Sequence, residues 1–317
     1  MILSAVALLV RCERASSIES VLGKMNIPDE NPQSAEKIEL GRKLFFDKRL
    51  SSDQTVSCAT CHVPSYAFTD QLQFSEGVNQ HHAMRNSPSL LNSGYLQTIM
   101  FDAEITTLEM QALVPIKDTN EMGMLMSDLI VRLANISEYQ ATSRKLFGRG
   151  MDAFVITRAL ASFQRSLISD NAPFDQAERG ELLRSEGEER GWKLFSDQLY
   201  CTKCHPAPHF TTFSAENNGT YAKGDLDMGR FRIDSDSSEI GFFKIPSLRN
   251  IELTAPYMHN GSLKSLGDVL DHYQKGGANN VNQNDIIQPF KLSRRDRGDL
   301  LSFLKTLTDT TYMDRFR

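Results

Sequence analysis

Twice in the chain two cysteines stand three positions apart with a histidine directly after the second: Cys58, Cys61 and His62, then Cys201, Cys204 and His205. Nothing else restricts fold and chemistry as strongly. One helical turn brings both thiols of such a run to one edge, and the next residue swings its imidazole beneath whatever the sulfurs hold. A c-type haem needs that set: each of its two vinyl groups forms a thioether with one cysteine, and its iron takes the imidazole as proximal ligand. A four-cysteine zinc site has no use for a histidine after each pair. A thioredoxin-like pair belongs in a strand–helix–strand setting, which the flanking sequence lacks. With 7 His in 317 residues, chance placement after both pairs is roughly a one-in-2,000 event. The expectation is two covalent c-type haems, on Cys58, Cys61 and His62 and on Cys201, Cys204 and His205.

Thioether attachment is carried out on the export side of the membrane, so the motifs also predict a periplasmic location. Residues 2–10 are an apolar or small run, too short to cross a bilayer and similar to the centre of a secretory signal, although no Lys or Arg precedes them. An Arg directly before Cys12 suits a lipoprotein cleavage site poorly, which disfavours lipid attachment there. Lys plus Arg number 35 against 40 Asp plus Glu, a net charge of −5. That mild acidity argues against a nucleic-acid partner, since phosphate backbones call for a basic surface.

A weak repeat organises the rest. The run G-R-K-L-F-F-D from Gly41 precedes the first motif, and G-W-K-L-F-S-D from Gly191 precedes the second. Each is a short helix-forming segment with an apolar pair, Leu44 with Phe45 and Leu194 with Phe195, suited to pack on a core or a haem. Two such units imply two related domains. The polar stretch 169–185, with a Pro and a Gly, marks the boundary. The division is then 1–24 as signal-like segment and leader, 25–172 as N-terminal domain, and 173–317 as C-terminal domain. Helical periodicity covers 38–46, 127–134, 154–167, 266–273 and 296–307, and Ser293 with Asp296 forms a capping box for the last. Long loops span 74–85 and 213–244. The fold class is all-α: two cytochrome c-like domains with long loops, each binding one haem.

These motifs, together with A-F-T-D at 67–70, R-N-S-P-S-L-L-N at 85–92, L-E-M-Q at 108–111, E-M-G at 121–123, K-I-P-S-L-R-N at 244–250 and L-T-A-P-Y-M-H-N-G at 253–261, resemble the bacterial diheme cytochrome c peroxidase family. That family includes the methylamine-utilisation diheme enzymes. The resemblance runs from about residue 38 to 307. It implies that His62 is the proximal ligand of a peroxidatic haem and His205 that of an electron-transfer haem. It places the family's distal Gln and Glu on Gln111 and Glu121. It further implies a calcium ion held by the Asn86 side chain and the carbonyls of Thr254 and Pro256, hard oxygen ligands that suit that ion. Members often form homodimers, though no residue here calls for one. In the site so implied, Glu121 would move the peroxide proton from inner to outer oxygen while Gln111 orients the peroxide. Burial near an apolar haem face would raise the Glu121 pKa towards neutrality.

Three departures from the family pattern bear on function. The distal His that closes the resting peroxidatic haem in many members is Val78 here, which cannot ligate; His81 and His82 follow and read as exposed loop residues, which leaves the first haem five-coordinate, whereas ligation by either would make activity depend on prior reduction. The Trp between the haems is Phe101, and the single Trp, Trp192, reads as core or haem packing. The distal ligand of the second haem falls on Tyr273, as in the methylamine-utilisation enzymes, with Met258 as the competing ligand and His272 as a surface neighbour. The expected function is reduction of hydrogen peroxide with electrons from a small cytochrome c or a cupredoxin. One alternative is oxidation of a protein or organic substrate through a high-valent bis-haem state. The other is a diheme electron carrier without chemistry of its own.

Overall fold

The computed structural model describes residues 20–220 and 227–316; the signal-like run and Cys12 lie outside them. The described chain is mostly helical. Its first part carries α1 (Ala35–Phe46), α2 (Cys58–Cys61), α3 (Leu108–Gln111), α4 (Leu113–Lys117), α5 (Met126–Ala134), α6 (Ser137–Phe147) and α7 (Ala153–Arg165). The second carries α8 (Pro173–Glu178), α9 (Glu186–Lys193), α10 (Phe231–Asp234), α11 (Leu266–Gln274) and α12 (Arg294–Lys305). A short antiparallel ribbon joins β1 (Ala215–Glu216) to β2 (Phe243–Lys244), with Ala215 opposite Lys244. No helix among the described residues is long and apolar enough to cross a membrane.

All five periodic segments form helices. Their ends are set by side-chain caps: Ser34 accepts from the Lys37 N–H, Asp152 from Val155, and Ser293 from Asp296 within the expected capping box. Helix α6 lacks a readable period because it buries only Tyr139 and Ser143. The repeated glycine runs do the same work twice. A Cβ on Gly41 of α1 would stand 1.9 Å from the Ala159 carbonyl oxygen and 2.8 Å from the Phe163 Cβ of α7. A Cβ on Gly191 of α9 would stand 2.1 Å from the Asp299 carbonyl oxygen and 2.8 Å from the Phe303 Cβ of α12. Only glycine lets each pair of backbones come so close. The apolar pairs that follow, Leu44 with Phe45 and Leu194 with Phe195, are buried.

Two apolar clusters result. One gathers residues 40–167, including Leu44, Phe45, Phe68, Leu160 and Phe163; the other gathers Phe174, Phe195, Phe210, Leu270, Leu300, Phe303, Leu304 and Leu307. Trp192 packs on the second, edge-on to Phe174 and stacked on Phe195. The chain end then crosses back. Tyr312 joins the first cluster, its hydroxyl donating to the Pro64 carbonyl (3.0 Å) and accepting from the Ala67 N–H (3.1 Å). Asn92 and Asn250, both buried and both with left-handed backbone, meet at Ser169: Asn92 bonds its backbone and Asn250 its hydroxyl.

Candidate functional site

In each Cys-x-x-Cys-His run the histidine N–H returns to the first cysteine's carbonyl, His62 to Cys58 at 2.9 Å and His205 to Cys201 at 2.8 Å. The imidazoles are then aimed in one way. Nδ1 of His62 stands 2.9 Å from the Phe68 carbonyl oxygen, and Nδ1 of His205 stands 2.9 Å from that of Phe210. A carbonyl only accepts, so Nδ1 carries the hydrogen and Nε2 keeps its lone pair for a metal. Burial lowers the pKa of both rings, that of His205 to about 4, which favours the neutral imidazole. Phe68 and Phe210 both have positive φ (59° and 53°), the turn that directs each carbonyl at its histidine. Serines of a repeated P-S-L-x-N run brace these turns: Ser89 donates to the Ala67 carbonyl and Ser247 to that of His209, each at 2.6 Å. Both runs are visible in the sequence, at 88–92 and 246–250.

The cysteines of each pair are not disulfide-linked, and burial pushes the thiols of Cys58, Cys61 and Cys201 up to about 12. That is the reverse of the lowered pKa a thioredoxin-type nucleophile requires. Half-buried, uncharged thiols beside an imidazole with a free Nε2 form a donor set that suits a covalent haem.

One cavity brings the first motif and its expected partners together: Cys58, Cys61 and His62 face Gln111, Glu121 and Gln164. Thr107 caps α3 by accepting from the Met110 N–H, which presents Gln111 at the helix end. Gln164 of α7, absent from the sequence reading, donates to the Gln111 oxygen at 3.4 Å. Glu121 stands at the end of a turn in which its own N–H bonds the Asp118 carbonyl (3.1 Å). The Glu121 carbonyl in turn accepts from the N–H of Val78 at 2.8 Å. Val78 is 1% exposed and belongs to the core, so the residue in the distal-His position supports the Glu121 backbone. Burial, reinforced by the nearby Asp118 charge, raises the Glu121 carboxyl to about 7. A carboxyl poised there both takes and returns a proton at neutral pH.

His81 and His82 are exposed and absent from the cavity wall; His81 bonds the Thr119 carbonyl through Nδ1 at 3.1 Å. Phe101 is half-buried, and its carbonyl accepts from the Lys244 N–H of β2 at 2.6 Å. Beside it Asp102 is fully buried and bonds Arg85 at 2.7 Å and Arg232 at 2.5 Å.

Tyr273, on α11, lies within electrostatic reach of the second motif's cysteines. Burial pushes its phenol up to about 12, with the Cys204 and Cys201 thiols contributing. Asn218 lies between Tyr273 and Met258, 3.3 Å from each. His272, expected at the surface, is half-buried, and its Nε2 donates to the Asn218 carbonyl at 2.9 Å. Asn86 is buried, and its amide nitrogen donates to the Leu72 carbonyl at 2.7 Å, which turns the amide oxygen the other way. Its backbone N–H bonds the His259 carbonyl, tying it to the segment that holds Thr254 and Pro256.

The family profile described as di-haem cytochrome c peroxidase matches residues 35–182. The chain is 40% identical over 283 residues to methylamine utilization protein MauG of Methylorubrum extorquens, covering 88% of this chain and 80% of that one. It is 31% identical over 318 residues to cytochrome-c peroxidase IdrP1 of a Pseudomonas species, covering 89% and 83%. Among solved structures, a MauG-like protein associated with microbial copper homeostasis superposes with a TM-score of 0.87 at 31% identity, over 94% of this chain and 96% of that one.

Proposed function

The chain belongs to the di-haem cytochrome c peroxidase family, and from that premise we propose that it reduces hydrogen peroxide to water with electrons from a small cytochrome c or cupredoxin. The observation that carries this reading is the Glu121 carboxyl, raised to about 7 and lining the same cavity as His62. In this reading Cys58 and Cys61 tether the first haem and His62 is its proximal ligand. Cys201, Cys204 and His205 do the same for the second, with Tyr273 as distal ligand in preference to Met258. When bound, the haem of the first cavity supplies an iron that takes peroxide and, with the second haem, the electrons that break its O–O bond. Glu121 accepts the proton of the inner peroxide oxygen and returns it to the outer one, so that water leaves instead of hydroxide. Gln111, steadied by Gln164, hydrogen-bonds the peroxide and sets its angle. The balance is one H₂O₂, two electrons and two protons to two waters.

The two apolar clusters support a division at about residue 172 into a peroxidatic and an electron-transfer domain. The Asn86 amide oxygen with the Thr254 and Pro256 carbonyls is our calcium site, and the periplasm our location. The assay is donor oxidation by the haem-loaded protein: peroxide-dependent turnover with two donor electrons per peroxide is expected, and donor oxidation indifferent to peroxide overturns the reading. A second reading, oxidation of a protein or organic substrate, draws support from Tyr273 and from the 40% identity to a methylamine utilization protein. Slow donor turnover together with peroxide-driven oxidation of such a substrate would favour it.

A further inference from the structure

The amide of Asn218 touches both side chains that compete for the second iron. Nδ2 stands 3.3 Å from the Tyr273 hydroxyl oxygen and 3.3 Å from the Met258 sulfur. The other end of the amide is fixed, because Oδ1 accepts from the Thr220 N–H at 3.1 Å and from the Thr220 hydroxyl at 2.6 Å. With the oxygen held there, the two N–H bonds face Tyr273 and Met258, and an amide nitrogen can only donate. The loop itself is pinned. Neighbouring Asn217 is fully buried and donates to Ile240, Asn280 and Val281. The Asn218 carbonyl accepts from His272, the residue before Tyr273 on α11.

We propose that Asn218 is the positioning residue for the distal ligand of the second haem, one amide N–H donating to the Tyr273 oxygen and the other holding the Met258 sulfur off the iron. The proposal rests on the reading that Cys201, Cys204 and His205 carry a haem whose far face Tyr273 closes. A hydrogen bond to a ligand oxygen draws charge away from the metal and makes reduction easier. Restraining the sulfur matters because a thioether, once free to bind, favours the ferrous state. The amide therefore sets both the strength of the oxygen ligand and the exclusion of its rival.

The test is a redox titration of the haem-loaded Asn218→Asp protein, with the first haem's potential as internal control. Aspartate keeps an oxygen for Thr220 and replaces the donor by an acceptor. The second haem's reduction equilibrium should fall about tenfold, about 59 mV for one electron, while Tyr273 keeps the iron, or rise where the released Met258 sulfur takes its place, and in either case its ligand charge-transfer absorption should move. Thr220→Val leaves the amide in place but loosens it, and should give a smaller shift of the same sign. If Asn218→Asp does not load two haems, Thr220→Val decides the matter. A second-haem potential unmoved in the deciding variant overturns the proposal. Tyr273→Phe separates the failures. If it leaves the second haem's spectrum unchanged, the assignment of Tyr273 falls and Asn218 with it. If it changes that spectrum while Asn218→Asp alters nothing, Asn218 alone is overturned.

Discussion

Around His62 and His205 the chain lays down the same scaffold. A glycine-led helix crosses its partner at Gly41 and again at Gly191. A phenylalanine with positive φ turns its carbonyl to Nδ1, and a serine of a P-S-L-x-N run braces that turn from behind. The opposite faces share nothing. His62 looks across a cavity at Gln111 and Glu121, whereas the second motif has Tyr273 and Met258 gathered on Asn218. The difference separates a copied support from two unlike surroundings: what holds each histidine is repeated, and under the proposed function it is the unlike surroundings that assign peroxide chemistry to one half and electron storage to the other.

The sharpest way to break that division is to remove the acid–base group. Glu121→Gln keeps shape and hydrogen bonding but cannot carry the proton, so the rate of reaction with peroxide in stopped-flow mixing should fall by about 10²- to 10⁴-fold, the usual worth of general acid–base catalysis. Both haems should remain bound. Tyr273→Phe should instead alter the absorption of the second centre and leave the first cavity's reaction with peroxide in place. Equal losses from the two substitutions would mean that the faces are not divided in function.

The shared frame makes the next prediction. Gly41→Ala and Gly191→Ala each force a Cβ into a backbone oxygen, an overpacking that should cost about 3 kcal/mol in denaturant unfolding, the upper end for such changes. If one is costly and the other harmless, the two crossings are not equivalent.

How much of this was legible beforehand follows from what leaves a trace in residue types. The haem-binding runs, the five periodic helices and the Ser293–Asp296 cap rest on local spacing, and the structure forms those helices where the spacing has them. Gln111 and Glu121 came from resemblance alone, since nine residues of turn and short helix separate them and no period links them. Gln164 was invisible because it lies on α7, whose pattern reads as core, and only folding turns it to the cavity. Asn218 was hidden for the opposite reason: it sits in a long loop, where contacts depend on tertiary placement. The bond from His272 to Asn218 was not foreseen, because a single imidazole beside a helix end carries no sign of its acceptor. The aligned P-S-L-x-N runs were a signal within reach. Comparing Pro88 to Asn92 with Pro246 to Asn250 exposes the second repeat that braces both histidines.

The pH profile sharpens the contrast further. Glu121 must be ionised to accept the peroxide proton, so the bimolecular rate should rise as pH passes through about 7 and level off above it. Asp118 is one of the two causes holding that carboxyl up. Asp118→Asn should therefore move the inflection to lower pH without changing the plateau. An inflection that stays put would assign the whole shift to burial.

The smallest effect concerns a place where the shared frame itself departs. Ser87, just before the first P-S-L-x-N run, donates to the Cys61 carbonyl at 2.7 Å, and its oxygen lies 3.2 Å from Nδ1 of His62. The equivalent residue in the second half is Ile245, which has no such group. His62 thus has a second acceptor for its Nδ1 hydrogen beside the Phe68 carbonyl. Extra acceptance at Nδ1 makes an imidazole a stronger donor to its metal and favours the ferric state. Ser87→Ala should then ease reduction of the first haem by about threefold in the equilibrium, within the range of a single net hydrogen bond, and leave the second unmoved. Ile245→Ser should do the reverse to the second haem alone. If the two potentials move together, or neither moves, the asymmetry between the centres lies wholly on the distal faces.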